Sequence, residues 1–175
     1  MPIKKILVLG PESTGKSTLA KDLSTHFSDP WVPEFAREYL ENLGREYDFE
    51  DLSTIAKGQL KVEDDEAYSA KEFLFCDTDL RVIHIWSAHR FGKTSPWILE
   101  EIETRIYDLI LLTDIDMEWE PDPLREHPEP EQRVYFFKKY LELVKSSGFP
   151  FEIISGSREK RLEKALSAIQ RHCKN

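Results

Sequence analysis

The chain has 175 residues, 40% of them hydrophobic, with ten prolines and a formal net charge of −9. That length buries one sizeable core and leaves no room for a second domain of ordinary size, and the acidic balance speaks against a nucleic-acid partner, whose phosphates call for a basic surface. Cys76 and Cys173 match no metal-ligand or redox spacing, no apolar run approaches the ~20 residues that span a bilayer, and the N-terminus lacks the h-region of a signal peptide, so the expectation is a reduced, cytoplasmic protein without membrane contact.

In chain order, Ile6-Leu7-Val8-Leu9 is an unbroken apolar run, the pattern of a strand buried on both faces of a parallel sheet. Gly10-Pro11-Glu12-Ser13-Thr14-Gly15-Lys16-Ser17 follows and fits the phosphate-binding P-loop. The chemistry explains the spacing. Backbone N–H groups must wrap a polyphosphate, and the glycines allow the tight turn and close approach. Lys16 reaches the outer phosphates, and the Ser17 hydroxyl ligates the magnesium that accompanies the nucleotide. Leu19, Ala20, Leu23 and Phe27 then recur at helical spacing, and a helix starting near Lys16 directs its positive end at the phosphates.

Residues 31–35 form a short apolar stretch that includes Glu34, and a helical pattern runs from Ala36 to a stop at Gly44. Ligands of open parallel sheets gather at the carboxyl ends of strands, which sets Glu34 and Arg37 beside the P-loop. Residues 51–70 read as an amphipathic helix with Leu52, Ile55, Ala56, Leu60 and Ala67 on one face, its run Glu63-Asp64-Asp65-Glu66 being a solvated face rather than a metal site. Phe73-Leu74-Phe75-Cys76-Asp77 is an apolar strand ending in a carboxylate able to reach the magnesium. Leu109 to Asp114 is a second such strand, and Asp77 is preferred because Asp79 adds another carboxylate at the same strand end. Between them, residues 80–91 read as a helix whose Trp86 either stacks on a ring-bearing substrate or belongs to the core.

Residues 117–133 carry four prolines and cannot be one strand or one helix. The segment reads as a mobile lid that excludes water and brings Arg125 and Arg133 to the γ-phosphate. A helix over 131–147 with Val134, Phe137, Tyr140, Leu141 and Val144 inward, a strand over 151–154 and a helix from Arg158 to about His172 complete the pattern. Ser157 and Arg158, in the last turn, are candidates to contact the nucleotide base. The expected fold is α/β, a P-loop NTPase with a five-stranded parallel sheet between two helical layers, one domain over 1–175.

Gly10 to Leu19, Glu34 with Arg37-Glu38, Asp77-Thr78-Asp79, and Glu118-Trp119 followed by Asp122 and Leu124-Arg125 together resemble the ribosylnicotinamide kinase domain of the bacterial NadR proteins, over nearly the whole chain. The resemblance implies transfer of the ATP γ-phosphate to the 5′-hydroxyl of nicotinamide riboside, with ATP and Mg2+ as cofactors. It assigns Gly10, Ser13, Thr14, Gly15, Lys16, Ser17 and Thr18 to the phosphates and the metal, Asp77 to the metal, and Arg125 and Trp119 to the lid and substrate. Glu34 takes the place of the acid that accepts the proton in related nucleoside kinases, with Asp77 as runner-up, and Asp79 and Arg37 hold ribose hydroxyls. Full NadR proteins carry an adenylyltransferase domain and some a DNA-binding one; this chain begins just before its first strand, so the expectation is a kinase domain alone, coupled to an adenylyltransferase in trans. The alternatives are a kinase for another nucleoside or a nucleoside monophosphate, and a regulatory P-loop NTPase. A GTPase reading lacks the Asp-x-x-Gly and Asn-Lys-x-Asp elements, and a motor reading calls for a helical domain after the core.

Overall fold

The computed structural model describes residues 2–173. Strand β1 (Lys4–Leu9) leads into α1 (Lys16–Phe27), and β2 (Trp31–Val32) is followed by α2 (Phe35–Leu43) and α3 (Phe49–Ala67). Then come β3 (Phe73–Asp77), α4 (Leu80–Phe91), α5 (Pro96–Thr104), β4 (Leu109–Thr113), α6 (Pro130–Ser146), β5 (Phe151–Ile154) and α7 (Arg158–Cys173). The five strands are all parallel, in the order β2-β3-β1-β4-β5.

The apolar runs of β1, β3 and β4 are continuous because both faces of the sheet are covered. Successive side chains of a strand point to opposite faces. Accordingly Ile6, Val8, Phe73, Phe75, Leu109 and Leu111 pack against Leu19 and Leu23 of α1 and Ala165, Ala168 and Ile169 of α7. Leu7, Leu9, Leu74, Cys76, Ile110 and Leu112 pack against Val82 and Ile85 of α4 and Phe136, Tyr140 and Val144 of α6. A third cluster joins α2, α3 and α5 to the outer side of α4 through Ala36, Leu52, Ile55, Ile83 and Ile98. The expected three-layer arrangement is therefore the one observed.

The structure departs from the sequence reading at three places. Helix α5 occupies a stretch to which the sequence reading assigned no element, although Ser95-Pro96 at its start is a usual N-terminal signal. In α6 Tyr140 and Val144 are buried as expected and Phe137 and Leu141 pack half-buried against the same core, while Phe136 is also buried and Val134 is exposed. The acidic run of α3 is not wholly solvated. Glu63 is 1% exposed and takes Lys5 Nζ at 2.9 Å, Arg105 at 3.4 Å and the Tyr107 hydroxyl at 3.0 Å, so it is a buried counter-ion with its charge matched by contacts from distant elements. Asp48 and Asp51 form a reciprocal capping box at the start of α3.

Candidate active site

β1 lies at the centre of the sheet between β3 and β4, and the chain leaves its carboxyl end at the point where the strand order turns. The loop from Gly10 to Gly15 is held there by fixed contacts. Gly10 adopts φ 151°, and a Cβ at this position would stand 2.3 Å from Thr113 Oγ1, which only glycine avoids. The Thr14 hydroxyl donates to the Pro11 carbonyl at 2.7 Å and stands 2.7 Å from the Thr113 hydroxyl at the end of β4. Lys16 Nζ also donates to the Pro11 carbonyl, at 2.7 Å.

Asp77, the last residue of β3, is 1% exposed. Its Oδ2 accepts a hydrogen bond from the Ser17 hydroxyl at 2.5 Å, and its Oδ1 is buried with no protein partner. Burial pushes the carboxyl above its ordinary value, while Lys16 and the Ser17 hydrogen bond pull it down. A buried, half-satisfied carboxylate beside a serine hydroxyl fits a hard divalent cation that takes one or two protein oxygens and completes its shell with phosphate and water. Thr78, next in the chain, sits in the left-handed region at φ 71°, the kind of local strain that marks functional sites. The competing carboxylate, Asp114, accepts from the Ile115 N–H at 2.7 Å and starts its own loop.

In front of these residues lies a cleft of 210 Å³. Gly10, Ser13, Thr14, Gly15, Lys16, Ser17 and Thr18 line one side of it, and Glu34, Arg37 and Trp86 line another, with Arg125 above. Glu34, at the N-terminus of α2, is partly open to the cleft. Burial of its carboxyl pushes it above the ordinary glutamate range; Lys16 and Arg37 oppose this, and Asp77 and Glu12 add to it. Trp86 packs at the seam between two core clusters and also lines the cleft.

The proline-rich segment between β4 and α6 has no helix or strand and lies across the mouth of this cleft. The Met117 thioether packs over Gly15. The Glu120 N–H donates to Ser13 Oγ at 2.9 Å, and Arg125 reaches the same oxygen at 3.4 Å while also donating to the Glu120 carbonyl. Arg37 pairs with Asp122 at 3.1 Å, which ties α2 to the segment. Arg133 donates to the Met117 carbonyl at 2.9 Å and the Ser13 carbonyl at 3.3 Å.

Four expected site residues stand elsewhere. Asp79 is 4% exposed, caps α4 by accepting from the Arg81 N–H at 3.0 Å, and pairs with the Arg81 guanidinium; it does not line the cleft. Trp119 packs beside Arg125 and Arg133 with its ring towards a small neighbouring pocket. Arg158 forms an exposed pair with Asp22 at 2.8 and 2.6 Å, and Ser157 accepts from the Lys160 N–H at 3.3 Å.

The residue of that turn that does connect to the P-loop is Arg161, one helical turn farther on and 3% exposed. It donates to the carbonyls of Gly156 at 2.8 Å, Thr14 at 2.8 Å and Asp114 at 3.1 Å, and pairs with Asp116. A planar, permanently charged fork suits three converging carbonyls as no other side chain does. Replacing it with Ala leaves those groups unpaired, and Arg161→Ala is expected to lower stability by about 2 kcal/mol, read as a lower urea midpoint at unchanged slope.

A family model described as an AAA domain matches residues 5–161. The chain belongs to this AAA domain family. The match spans the P-loop, Asp77 and Arg161. The trifunctional NAD biosynthesis/regulator protein NadR of Salmonella typhimurium is 27% identical over 153 residues, 85% of this chain and 37% of that protein. The Escherichia coli NadR is 26% identical over 153 residues. This AAA domain chain thus spans 37% of the length of the curated relatives it matches. Among solved structures, a NadR protein in complex with NR superposes with a TM-score of 0.85 at 24% identity, over 98% of this chain and 52% of that one. A thymidylate kinase from Ehrlichia chaffeensis gives 0.69 at 14% identity, over 97% of this chain and 100% of that one. The resemblance to the NadR kinase domain and the P-loop kinase fold expected from sequence both agree with these matches. Among the described residues no helix is long and apolar enough to cross a membrane.

Proposed function

We propose that this AAA domain chain transfers the γ-phosphate of ATP to the 5′-hydroxyl of nicotinamide riboside, giving the mononucleotide. The observation that carries the proposal is one cleft in which a P-loop, a raised carboxylate and an arginine-bearing lid converge. The P-loop amides and Lys16 bind the phosphates. Ser17 and Asp77 hold the magnesium, which when bound supplies charge neutralisation on the phosphates. Glu34 accepts the proton of the attacking hydroxyl, and burial gives it the basicity for that task. Arg125, in the lid over 117–133, balances charge on the reacting phosphate while the lid keeps out water.

The acceptor side favours a nucleoside over a nucleoside monophosphate. Glu34 and Glu12 line it, and Arg37, beside them in the lining, is engaged by Asp122 at 3.1 Å and Glu41 at 3.5 Å. An acceptor phosphate would meet like charge, whereas the pyridinium of nicotinamide riboside brings a positive one. The kinship with NadR supports the same acceptor. The reading takes residues 1–175 as one domain, keeps the cytoplasmic location expected from sequence and hands its product to an adenylyltransferase in trans. The test is ADP release with magnesium and ATP across nicotinamide riboside, the common nucleosides and their monophosphates. Saturable turnover selective for nicotinamide riboside is expected. Turnover selective for a monophosphate would replace the acceptor, and ATP use indifferent to every acceptor would favour a regulatory NTPase.

A further inference from the structure

Glu12 stands in the variable part of the P-loop, where a carboxylate opposes the polyanion that the loop binds. The loop's own turns are fixed by Gly10, Thr14 and Thr113, so Glu12 is not needed to shape it. Its Oε2 accepts two backbone hydrogen bonds from the lid, from the Glu126 N–H at 3.1 Å and the His127 N–H at 3.2 Å. Those two residues directly follow Arg125. On the other side of Arg125, Asp122 is held by Arg37 of α2 at 3.1 Å. The arginine is therefore bracketed by a clasp three residues before it and a clasp immediately after it, one from each wall of the cleft.

From this bracket we propose that Glu12 is a positioning residue, which docks the lid onto the P-loop and thereby presents Arg125 to the transferred phosphate. The catalytic part of the statement rests on the kinase reading above; the docking part does not. A charge-bearing acceptor shared by two amides is a strong local tie, and its loss frees the residues beside Arg125 while leaving the P-loop backbone and the core intact. Because one oxygen takes both amides, a glutamine in place of the glutamate keeps the acceptor and removes only the charge.

The test compares wild type, Glu12→Ala and Glu12→Gln by limited trypsin digestion without substrates, following cleavage after Arg125 by mass spectrometry, and by steady-state kinetics. Glu12→Ala is expected to be cut about tenfold faster at Arg125, as a locally opened segment is, with an unchanged melting temperature. Its kcat on nicotinamide riboside is expected to fall about tenfold at near-constant acceptor KM, and its acceptor-independent ATP hydrolysis to rise, since the lid no longer excludes water. Glu12→Gln, which keeps the acceptor and loses the charge, is expected to fall between wild type and Glu12→Ala, recovering most of the protection and most of kcat. Cleavage at Arg125 that is the same in Glu12→Ala and wild type, or a Glu12→Gln variant no better than Glu12→Ala, would overturn the proposal. So would a defect confined to acceptor KM, which would make Glu12 a substrate contact. Failure of the kinase reading shows separately, as wild-type protein inert towards nicotinamide riboside whatever the digestion pattern.

Discussion

Glu34→Gln is expected to lower kcat on nicotinamide riboside by about 10²–10⁴-fold, the range that a positioned general base contributes, with little change in ATP KM. The residue lines the cleft without belonging to the P-loop that wraps the nucleotide's phosphates. The pH profile separates a base from a mere contact. Glu34 has its carboxyl raised above 4.5 by burial, with Asp77 adding to the shift and Lys16 opposing it. A base must be ionised to act, so the acid limb of kcat/KM lies above the ordinary glutamate value, and activity grows as pH rises through it. Glu34 and Asp77 influence one another, so the limb belongs to the pair. In Glu34→Gln one member is gone, and the raised acid limb is lost with it. A variant with wild-type kcat, or one whose acid limb stays where it was, would remove Glu34 from the chemistry.

The parts of this site that could be read in the sequence are those whose meaning is local. A strand, a glycine-bounded loop and a helix start occur within one short segment, and Asp77 ends an apolar run, so β1, the loop after it and the carboxylate at the end of β3 follow from spacing alone. Asp79 shows where local reasoning fails. Residues two apart share a face while the chain stays extended, but Thr78 at φ 71° ends the strand and turns Asp79 into the cap of α4. Arg161 and Glu12 were illegible for a different reason. One is a helix residue bonded to Thr14 across 147 positions, the other a loop residue bonded to lid amides 114 and 115 positions away, and neither carries a signal that distinguishes it from solvated charge. The same holds for Glu63, whose partners Lys5 and Arg105 come from separate elements. In α6 the apolar period places Tyr140 and Val144 correctly and misplaces only the margin of the face, where Phe136 is buried and Val134 exposed.

Asp77→Asn separates the cost of this site from its use. It is expected to reduce kcat/KM by about a hundredfold, the scale at which loss of a group serving a metal reduces activity, and to raise the magnesium concentration needed for half-maximal rate. The same change is expected to raise the melting temperature of the protein alone. In the fold, burial disfavours the ionised carboxylate of Asp77 and raises its pKa above 3.8. Below 3.8 the group is neutral in both folded and unfolded chains and adds no penalty. As pH rises through the raised folded value, the unfolded chain ionises more readily than the folded one, and stability is lost. The ionised wild type carries a buried charge whose Oδ1 has no protein partner, and asparagine keeps the Ser17 contact without that charge. The gain in melting temperature should shrink as pH falls towards 4 and reverse in sign when magnesium and nucleotide are present, because ligand bound to the native state stabilises only the protein that holds it. Thermal scans of both proteins at pH 4 and pH 7.5, with and without magnesium and a non-hydrolysable ATP analogue, measure each part. An asparagine variant less stable than wild type without ligand would mean that the Asp77 carboxylate serves the fold rather than the metal.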